Sequence, residues 1–388
     1  MNVYLETFGC RANQADSEAV RALVLGAGGT LVASPTDADV AVINSCTVTA
    51  QADADVRHAV RRAAPVRTIV IGCLPANMPP GVSDVVAGVD LEAVALALGI
   101  PSSAKRETIR QTGTRALLRI QDGCDEHCTF CATTIARGAH RSRDIAEVVA
   151  EAVRLAEWHA EIVLTGIHIG SHESLGRLVE SLVDRLPGTR FRLSSIEANE
   201  VDGRLRALLR EGRVAPWLHA PLQSGSDRVL KKMGRHWYTS ATYERAIGEI
   251  VDDRPVFGLG ADIIAGFPGE TEDDHRATMA LVDRLPFTAL HVFPYSPRPG
   301  TAAQRLGPPV RASERAAELR ALAARKSAAY RESRKGTMAD AIAMGSRTAM
   351  TEDYLTVELA DPTIPRGTRW RGLLAGSATA PDRLKITR

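Results

Sequence analysis

The sequence has almost no net charge and very few cysteines, and both shortages narrow its possible functions. Its 48 Lys and Arg residues against 46 Asp and Glu residues leave a formal charge of +2. Global charge therefore does not indicate a nucleic-acid partner, and any such site must be a local patch. Six cysteines among 388 residues exclude the small disulfide-scaffold class of secreted proteins. A chain of this length is expected to form two or three domains.

The sequence also lacks a long apolar run. Its most apolar stretch, residues 85–100, carries Asp90 and Glu92 and is too short to cross a bilayer. Met1 leads almost directly into a strand pattern, so no signal peptide is expected. The sequence contains no internal repeat and no low-complexity tract. These absences predict a cytoplasmic protein without a membrane partner.

Three of the six cysteines lie close together. Cys124, Cys128 and Cys131 have the spacing Cys-x3-Cys-x2-Cys, with no fourth cysteine nearby. A cubane iron-sulfur cluster has four irons, so three thiolates leave one iron open to a small chelating molecule. Zinc is the main rival metal, but its sites favour four protein ligands. His127 is the candidate fourth zinc ligand, although it has little room to turn between two cysteines.

The other three cysteines, Cys10, Cys46 and Cys73, each follow a short, apolar, β-branched run. The runs are residues 3–9, 40–45 and 68–72. Such runs are typical of buried parallel strands, and the carboxyl ends of parallel strands share one edge of the sheet, where ligands bind. We therefore predict that these cysteines converge on a second cluster with its own open iron. Three unrelated buried thiols are the alternative, because free cysteine packs well as a small hydrophobe.

The pattern along the chain predicts three domains. Residues 1–102 alternate strands with helices near 17–25, 53–64 and 91–98, which predicts a doubly wound α/β domain. The polar, basic residues 102–114 are a predicted linker. Residues 115–335 form a second α/β series, which predicts a partial TIM-type (β/α)6 barrel with its chemistry at the carboxyl ends of the strands. Its strand candidates are 116–120, 161–165, 191–194, 217–219, 258–264 and 289–292, and the clearest helix candidate is 144–159.

The composition changes near the carboxyl terminus. A long helical pattern at 311–335 is followed by short apolar runs that Pro, Gly and Asp separate. The runs are 347–351, 354–359, 368–374 and 384–387. This pattern predicts a small β-barrel module over residues 336–388.

The motif of the three clustered cysteines resembles that of the radical S-adenosylmethionine enzymes. A three-cysteine domain before such a barrel and a β-module after it are similar to the methylthiotransferases, and the likeness covers nearly the whole chain. Blocks that carry it include Asn44-Ser45-Cys46-Thr47-Val48-Thr49, Pro221-Leu222-Gln223-Ser224-Gly225-Ser226 and Gly266-Phe267-Pro268-Gly269-Glu270. Blocks 136–143 and 291–297 resemble the branch that acts on N6-threonylcarbamoyladenosine (t6A) in tRNA.

This resemblance implies two [4Fe-4S] clusters and S-adenosylmethionine as cofactors. The cluster at Cys124, Cys128 and Cys131 would bind and reductively cleave S-adenosylmethionine, and the resulting deoxyadenosyl radical would act on adenine C2. The auxiliary cluster would supply sulfur, and a second S-adenosylmethionine would supply the methyl group. The implied function is methylthiolation of t6A at position 37 of tRNA. The implied partners are the tRNA anticodon loop, an electron donor such as flavodoxin or ferredoxin, and a sulfur source.

The resemblance also implies residues that contact S-adenosylmethionine. Phe130 would pack beside the adenine, Glu197 would reach a ribose or amino group, and Arg235 would pair with a carboxylate. The other implied contacts end or follow successive barrel strands; they are Thr165, Gly166, Gln223, Ser224, Asp262 and Gly266. A purely structural role is the alternative for each of them.

Two basic clusters near the barrel mouth are candidate RNA contacts. They comprise Arg137, Arg141 and Arg143, and Lys231 and Lys232. Phosphate contacts need such patches, but solvated helix faces look the same. The resemblance further implies that the terminal module is a TRAM-like domain that holds tRNA.

The segment after Cys131 departs from the family. Ala132, Thr133, Thr134 and Ile135 stand where relatives have two aliphatic residues, Pro and an aromatic. Two sister activities therefore stay open, namely the same chemistry on isopentenyladenosine in tRNA or on an aspartate of a ribosomal protein. A non-catalytic iron-sulfur electron carrier is an alternative of a different class, and failure to cleave S-adenosylmethionine would favour it.

Overall fold

The computed structural model describes residues 1–388 except 75–77, 79, 89, 102–107, 253, 378–382 and 388. Residues 102–107 of the predicted linker thus lie outside the described residues. The amino-terminal strands are β1 (Asn2–Thr7), β2 (Thr30–Val32), β3 (Val40–Ser45), β4 (Arg67–Gly72) and β5 (Val82–Ala87). The helices are α1 (Arg11–Gly26), α2 (Ala50–Ala63) and α3 (Leu91–Leu98). The five strands are parallel, in the order β2-β1-β3-β4-β5.

Alternating side chains of β3 explain the layers of this domain. Val42 belongs to a core with Val20 of α1 and with residues of α3, whereas Ile43 belongs to a core with Val56 of α2. Successive residues of a strand point to opposite faces of the sheet. Helices therefore cover both faces, which confirms the doubly wound α/β prediction.

The central part contains six parallel strands and their helices. The strands are β6 (Ala116–Arg119), β9 (Glu161–Thr165), β10 (Arg190–Leu193), β11 (Trp217–His219), β12 (Gly258–Ala265) and β13 (Ala289–Pro294), with a small pair of β7 (Gln121–Asp122) and β8 (Arg141–Ser142). The helices are α4 (Thr133–Arg137), α5 (Ile145–Ala156), α6 (Leu175–Arg185), α7 (Gly203–Arg210), α8 (Asp227–Lys232), α9 (Ser240–Val251), α10 (Glu272–Arg284) and α11 (Ala312–Ser333).

The order of these strands confirms the partial barrel. Strands β6, β9 and β10 form one sheet, and strands β11, β12 and β13 form another. Parallel bridges between Phe191 and Val214 and between Ser195 and His219 join the two sheets. Spatial order thus follows chain order, as in a (β/α)6 barrel.

The start of α1 differs from the prediction. The helix begins at Arg11, six residues before the predicted start at Ser17. Asn13 and Asp16, which favour turns in isolated sequence, are buried in this first part of the helix. Asn13 donates a hydrogen bond to the side chain of Asn44 at 2.9 Å, so tertiary partners stabilise turns of helix that local propensity does not favour.

The terminal module is a closed five-stranded barrel, which agrees with the predicted small TRAM-like barrel. Its strands are β14 (Met338–Ala343), β15 (Thr348–Thr351), β16 (Thr356–Leu359), β17 (Arg369–Gly376) and β18 (Leu384–Thr387), in the order β14-β15-β16-β18-β17. Strand β5 was not predicted, and the predicted runs also missed β14 and the three-residue β2. A short or alanine-rich strand has little β-branched content for a pattern to detect.

The three parts pack so that one end of the central barrel is closed. Tyr354 of the terminal module stacks on Trp217, with ring centroids 4.4 Å apart. Arg192 donates to the carbonyl of Glu352 at 2.9 Å. Trp217 is the first residue of β11, so the terminal module lies against the amino ends of the strands. The cysteine loop lies at the opposite end, and helix α1 of the amino-terminal domain packs along β6, with Arg11 5.2 Å from the ring of Tyr354.

We retain 1–102, 115–335 and 336–388 as the proposed domain limits, although residues 102 and 388 lie outside the described part of the chain. No helix among the described residues is long and apolar enough to cross a membrane.

Candidate active site

The loop with the three clustered cysteines is held tightly at the carboxyl end of the barrel. Gly123, just before it, has a φ of +70°, and an added Cβ would lie 1.9 Å from the carbonyl oxygen of Ala139. Only glycine fits this close approach. Further along the loop, the amide of Thr129 donates to the carbonyl of Met233 at 2.8 Å. Contacts of the protein itself therefore define the shape of the loop.

Hydrogen-bond donors point at all three thiols of this loop. The pairs are the Glu126 amide with Cys124 Sγ at 3.4 Å, the Thr133 amide with Cys131 Sγ at 3.3 Å and Arg235 Nη1 with Cys128 Sγ at 3.6 Å. Donors of this kind stabilise thiolates and tune iron-sulfur clusters. The three cysteines are half-buried, so their side chains are partly shielded from water and partly accessible to a ligand.

Arg235 connects Cys128 with Glu197 in a buried ion pair. Burial raises the pKa of the Cys128 thiol to about 12, although Arg235 opposes the rise. Burial also raises the pKa of Glu197. The Oε2 atom of Glu197 has no hydrogen-bond partner among the described residues. A buried carboxylate oxygen beside a cluster cysteine fits a ligand that donates a hydrogen bond.

His168 was not predicted as a site residue, yet it contacts the first cysteine of the loop. Its Nδ1 lies 3.6 Å from Cys124 Sγ, and its Nε2 forms an ion pair with Glu200 at 2.7 Å. Burial alone lowers the pKa of His168, but Cys124 and Glu200 outweigh burial and raise it to about 10. Its position three residues after β9, at the carboxyl end of a barrel strand, was the available signal in the sequence.

The second set of cysteines follows three neighbouring parallel strands, as predicted. Cys10, Cys46 and Cys73 come after β1, β3 and β4, which pair in that order. The amide of Cys73 donates to the carbonyl of Ser45 at 3.1 Å. Burial raises the pKa of the Cys73 thiol to about 11, and nearby Cys10 and Cys46 add to the rise. The sheet thus brings residues far apart in sequence to one place.

Neither cysteine set has the geometry of a zinc site. Zinc thiolates share one ion at about 2.3 Å, which brings ligand atoms within about 4 Å of one another. In the described part of the chain, the only trio of His, Cys, Asp or Glu with ligand atoms within 4.8 Å of one another contains no cysteine. Wider spacing fits thiolates that bind different irons of one cubane. The spacing of the thiols therefore does not favour the zinc alternative.

Arg137 does not lie where the RNA-binding prediction needs it. Its side chain is fully buried and forms ion pairs with Asp16 at 2.8 Å and Asp122 at 3.2 Å. Its Nε donates to Cys73 Sγ at 3.1 Å. A guanidinium with these partners is not available to a phosphate, so the predicted RNA contact of Arg137 is withdrawn.

A cavity of about 180 Å³ lies between the two cysteine sets. Residues 47–49, which follow Cys46, form one wall, and Phe130 and Cys131 form another. Gln223 and Asp262, at the ends of barrel strands, also line the cavity. Gln223 has a φ of +62°, a strained conformation for a residue with a side chain and one that is concentrated at functional sites. Residues of both cysteine-bearing domains therefore line this chamber, and Cys131 is the one cysteine among them.

The remaining predicted cofactor contacts lie outside this chamber. Ser224 lies against Thr278 of α10, with 3.3 Å between their hydroxyls. Gly266 packs against Ala312 at the start of α11, where an added Cβ would lie 2.4 Å from its Cα. The structure gives Ser224 and Gly266 packing roles and no place at the cavity, because neighbouring helices occupy the space beside them.

Thr165 and Gly166 lie at the end of β9. Thr165 is buried, and its carbonyl accepts a hydrogen bond from Ile120 at 2.9 Å. Gln121 fills the space beside Gly166, because an added Cβ would lie 2.8 Å from the Gln121 carbonyl oxygen. A side chain at position 166 would therefore clash with Gln121, and the contact of Thr165 and Gly166 with the methionine amino group stays a prediction.

The other predicted RNA contacts differ in exposure. The side chain of Arg141 is 61% exposed and makes one long ion pair with Asp122. Arg143 instead forms an ion pair with Glu151 at 2.8 Å. Lys231 is exposed and Lys232 is half-buried. Arg141 and Lys231 are therefore the members of the two clusters that are open to an outside partner.

Several cavity residues escaped prediction. Tyr295 and Arg298 line the cavity, and the Tyr295 hydroxyl and Arg298 Nε have no hydrogen-bond partner among the described residues. Asp262 Oδ1 lies 3.2 Å from His219 Nε2 and 3.1 Å from His291 Nδ1. These contacts lower the pKa of Asp262 although burial opposes them. Tyr295 lies in block 291–297, which resembles the t6A branch, whereas the sequence signal for Arg298 was its position after the last barrel strand.

Comparison with known proteins agrees with this geometry. Residues 118–282 match the Radical SAM superfamily, and residues 2–91 match the uncharacterized protein family UPF0004. Two similar proteins are both named threonylcarbamoyladenosine tRNA methylthiotransferase MtaB. The one from Aquifex aeolicus is 32% identical over 92% of this chain and 96% of its own, and the one from Bacillus subtilis is 36% identical over 78% and 75%.

A solved structure supports the fold. The radical S-adenosylmethionine methyltransferase TsrM from Kitasatospora setae aligns with a TM-score of 0.55 and 15% identity, over 76% of this chain and 74% of that one. At 15% identity, this likeness shows the fold alone. With the curated relatives, it leads to one conclusion: the chain belongs to the radical S-adenosylmethionine methylthiotransferase family, in the branch of the MtaB proteins.

Proposed function

We propose that this chain methylthiolates adenine C2 of t6A at position 37 of tRNA. The observation that carries the proposal is the cavity of about 180 Å³ between residues 47–49, after Cys46, and the loop that contains Cys131. A base held there would lie beside Cys131 and beside the segment that follows Cys46, as suits a reaction that activates a carbon and delivers sulfur to it. The names of the MtaB relatives supply the substrate.

The family uses S-adenosylmethionine and two [4Fe-4S] clusters. We assign the S-adenosylmethionine-binding cluster to Cys124, Cys128 and Cys131. We assign the auxiliary cluster to Cys10, Cys46 and Cys73. When bound, the first cluster supplies the electron that cleaves S-adenosylmethionine, and the second supplies sulfur. Each set has three thiolates, so each leaves an iron without a protein ligand.

The residues around Cys128 are suited to hold S-adenosylmethionine. Glu197 Oε2, which is unpartnered, can accept a hydrogen bond from an amino or ribose hydroxyl group. Arg235 carries donors toward both Cys128 and Glu197 and can also pair with a carboxylate. Phe130 lines the cavity beside Cys131, where its ring can pack against an adenine. His168 holds the start of the loop through Cys124.

The cavity itself is suited to a flat base. Apolar side chains line part of it, among them Phe130, Ile264 and Phe293, and they exclude water from the reacting carbon. Asp262 is kept ionised by its contacts with His219 and His291. Its carboxylate can therefore accept a hydrogen bond from a base or from an N6 substituent. Gln223 adds an amide that both donates and accepts.

The partner that this function needs is a tRNA. Anticodon-loop bases are accessible because loop bases can be splayed out of their stack. Exposed Arg141 and Lys231 are suited to contact flanking phosphates, and we propose the terminal barrel as a further tRNA contact. We also propose an electron donor such as flavodoxin or ferredoxin, a sulfur source, and a location in the cytoplasm, where tRNA is found.

The direct test is mass spectrometry of tRNA nucleosides from cells with and without this gene. Deletion should remove the methylthio form and leave t6A behind. Re-expression of the wild-type chain should restore the methylthio form. A chain with Cys124→Ala, which loses one of three thiolates, is the matched control and should not restore it.

Other outcomes identify the alternatives. If methylthiolated isopentenyladenosine disappears instead, the chain has the other tRNA substrate. If all tRNA nucleosides are unchanged and a ribosomal-protein aspartate loses its methylthio group, the substrate is a protein. If the reduced, reconstituted protein does not cleave S-adenosylmethionine at all, the chain is an electron carrier, and the proposal is wrong.

A further inference from the structure

Helix α4 connects the two cysteine sets directly. It begins two residues after Cys131, and the amide of Thr133 at its first position donates to Cys131 Sγ at 3.3 Å. Its last residue, Arg137, donates from Nε to Cys73 Sγ at 3.1 Å. A five-residue helix is about 7.5 Å long. One short, rigid element therefore touches a thiol of each set.

Arg137 is held in place by two buried carboxylates. Its Nη2 donates to Asp16 in α1 at 2.8 Å, and its Nη1 donates to Asp122 at 3.2 Å. Asp122 also accepts from the amide of Gly123 at 3.0 Å, immediately before the cysteine loop. The Nε, Nη1 and Nη2 donors of this planar guanidinium each point at a different partner. A flexible ammonium group cannot reproduce this fixed arrangement.

We propose that Arg137 is a positioning residue that fixes the auxiliary cluster relative to the S-adenosylmethionine site and raises its reduction potential. The inference rests on the proposed assignment of Cys10, Cys46 and Cys73 to the auxiliary cluster. A reduced cluster carries one more negative charge than an oxidised one. A buried cation and an N–H···S hydrogen bond both stabilise the more negative state. Loss of Arg137 should therefore make the auxiliary cluster harder to reduce.

The chain offers a matched control in Arg119. Its Nη1 pairs with the same two carboxylates, Asp16 at 2.7 Å and Asp122 at 3.4 Å. Among the described residues, the side-chain hydrogen bonds and ion pairs of Arg119 include no thiol. Arg119→Gln therefore weakens the same ion-pair network without removing a bond to sulfur. An effect that is specific to Arg137→Gln therefore comes from its buried charge beside Cys73 and its hydrogen bond to that thiol, and not from the ion-pair network alone.

The experiment is an EPR-monitored redox titration of the full-length, reconstituted chain. Cys124→Ala, Cys128→Ala and Cys131→Ala are introduced together as background, so that only the auxiliary cluster remains. Arg137→Gln should lower the midpoint potential, Arg137→Lys should lower it less because the charge is kept, and Arg119→Gln should leave it at the value of the background protein. An unchanged potential in Arg137→Gln, or an equal shift in Arg119→Gln, overturns the proposal.

Iron content gives a second readout. If Arg137→Gln loses the auxiliary cluster while Arg119→Gln keeps it, the positioning role is supported; loss in both variants overturns it. If circular dichroism shows that Arg137→Gln is unfolded, Arg137→Lys decides, and a potential equal to the background value overturns the proposal. None of these readouts depends on the substrate, so a wrong t6A assignment would not affect them. Full iron content in the variant that carries Cys10→Ala, Cys46→Ala and Cys73→Ala together would instead show that the assignment of the auxiliary cluster is wrong.

Discussion

Arg298, which follows the last barrel strand, forms a buried ion pair with Asp53 in helix α2 of the amino-terminal domain. The same guanidinium donates to the hydroxyl of Thr47 at 2.8 Å. Thr47 follows Cys46 and lines the cavity, as Arg298 does. The ion pair therefore joins the two cysteine-bearing parts of the chain beside the chamber that they share.

Replacement of Arg298 by Ala should strongly destabilise the protein. Loss of one partner leaves the Asp53 carboxylate buried without a counter-charge, which costs about 3–5 kcal/mol. Urea unfolding followed by circular dichroism measures the effect. Arg284→Ala is the control, because Arg284 pairs with Glu244 on the exposed surface, where such pairs contribute little. Equal unfolding midpoints in the two variants would contradict the buried role of Arg298.

Replacement of Cys124, Cys128 or Cys131 by Ala should abolish reductive cleavage of S-adenosylmethionine. Each change removes one of only three thiolates that we assign to that cluster. Deoxyadenosine formation by the reduced protein, measured by chromatography, checks this expectation. Formation at the wild-type rate in any one variant would refute the assignment.

Replacement of Cys10, Cys46 and Cys73 together by Ala should separate two activities. These cysteines lie in a different domain from the loop at 124–131, so the iron per chain should fall by about half, given one cubane per set. Cleavage of S-adenosylmethionine should persist, while the methylthiolated product is lost. Iron analysis and nucleoside mass spectrometry on the same preparation provide the measurements. Normal iron with normal product would rule out the two-cluster assignment.

Reversal of charge at Arg141 should weaken tRNA binding. The side chain is 61% exposed, and loss of one phosphate contact should reduce the slope of log affinity against log salt by about one. Arg276→Glu is the control, since Arg276 is 69% exposed on the outer helix α10. Filter binding at several salt concentrations compares the two variants, with iron content unchanged in both. Equal weakening by both variants would mean that Arg141 acts only through net charge.

The contact between His291 and Asp262 should affect how the stability of the protein depends on pH. A hydrogen bond to Asp262 raises the pKa of His291 above 6.5, so the protonated ring stabilises the fold. This contribution is complete below pH 6.5 and is lost as the pH rises through the folded pKa. It should be small, because the side chain is 64% exposed. Selective-label NMR should give a pKa above 6.5 for His291 that decreases in Asp262→Asn; an unchanged pKa would exclude the contact in solution.

Local pattern in the sequence was sufficient to predict the elements that carry the cysteines. The runs before Cys46 and Cys73 are apolar and β-branched, and such runs have few conformations other than a buried strand. The alternation of strands with helices predicted that the strands run parallel to one another. The spacing of Cys124, Cys128 and Cys131 likewise predicted an iron-sulfur loop, because three ligands within eight residues converge whatever the rest of the fold does.

Only the tertiary structure decided which charged groups, distant in sequence, form ion pairs with one another. Arg137 stands in a basic stretch and was predicted to be on the surface, but Asp16, 121 residues away, pairs with it in the interior. Arg298 and Asp53 are 245 residues apart. No local pattern distinguishes a solvated arginine from a buried one, because the difference lies in which carboxylate the fold brings near. The sequence by itself thus determined where the metal ligands stand along the chain, and only the packing of the domains decided which side chains hold the two sets together.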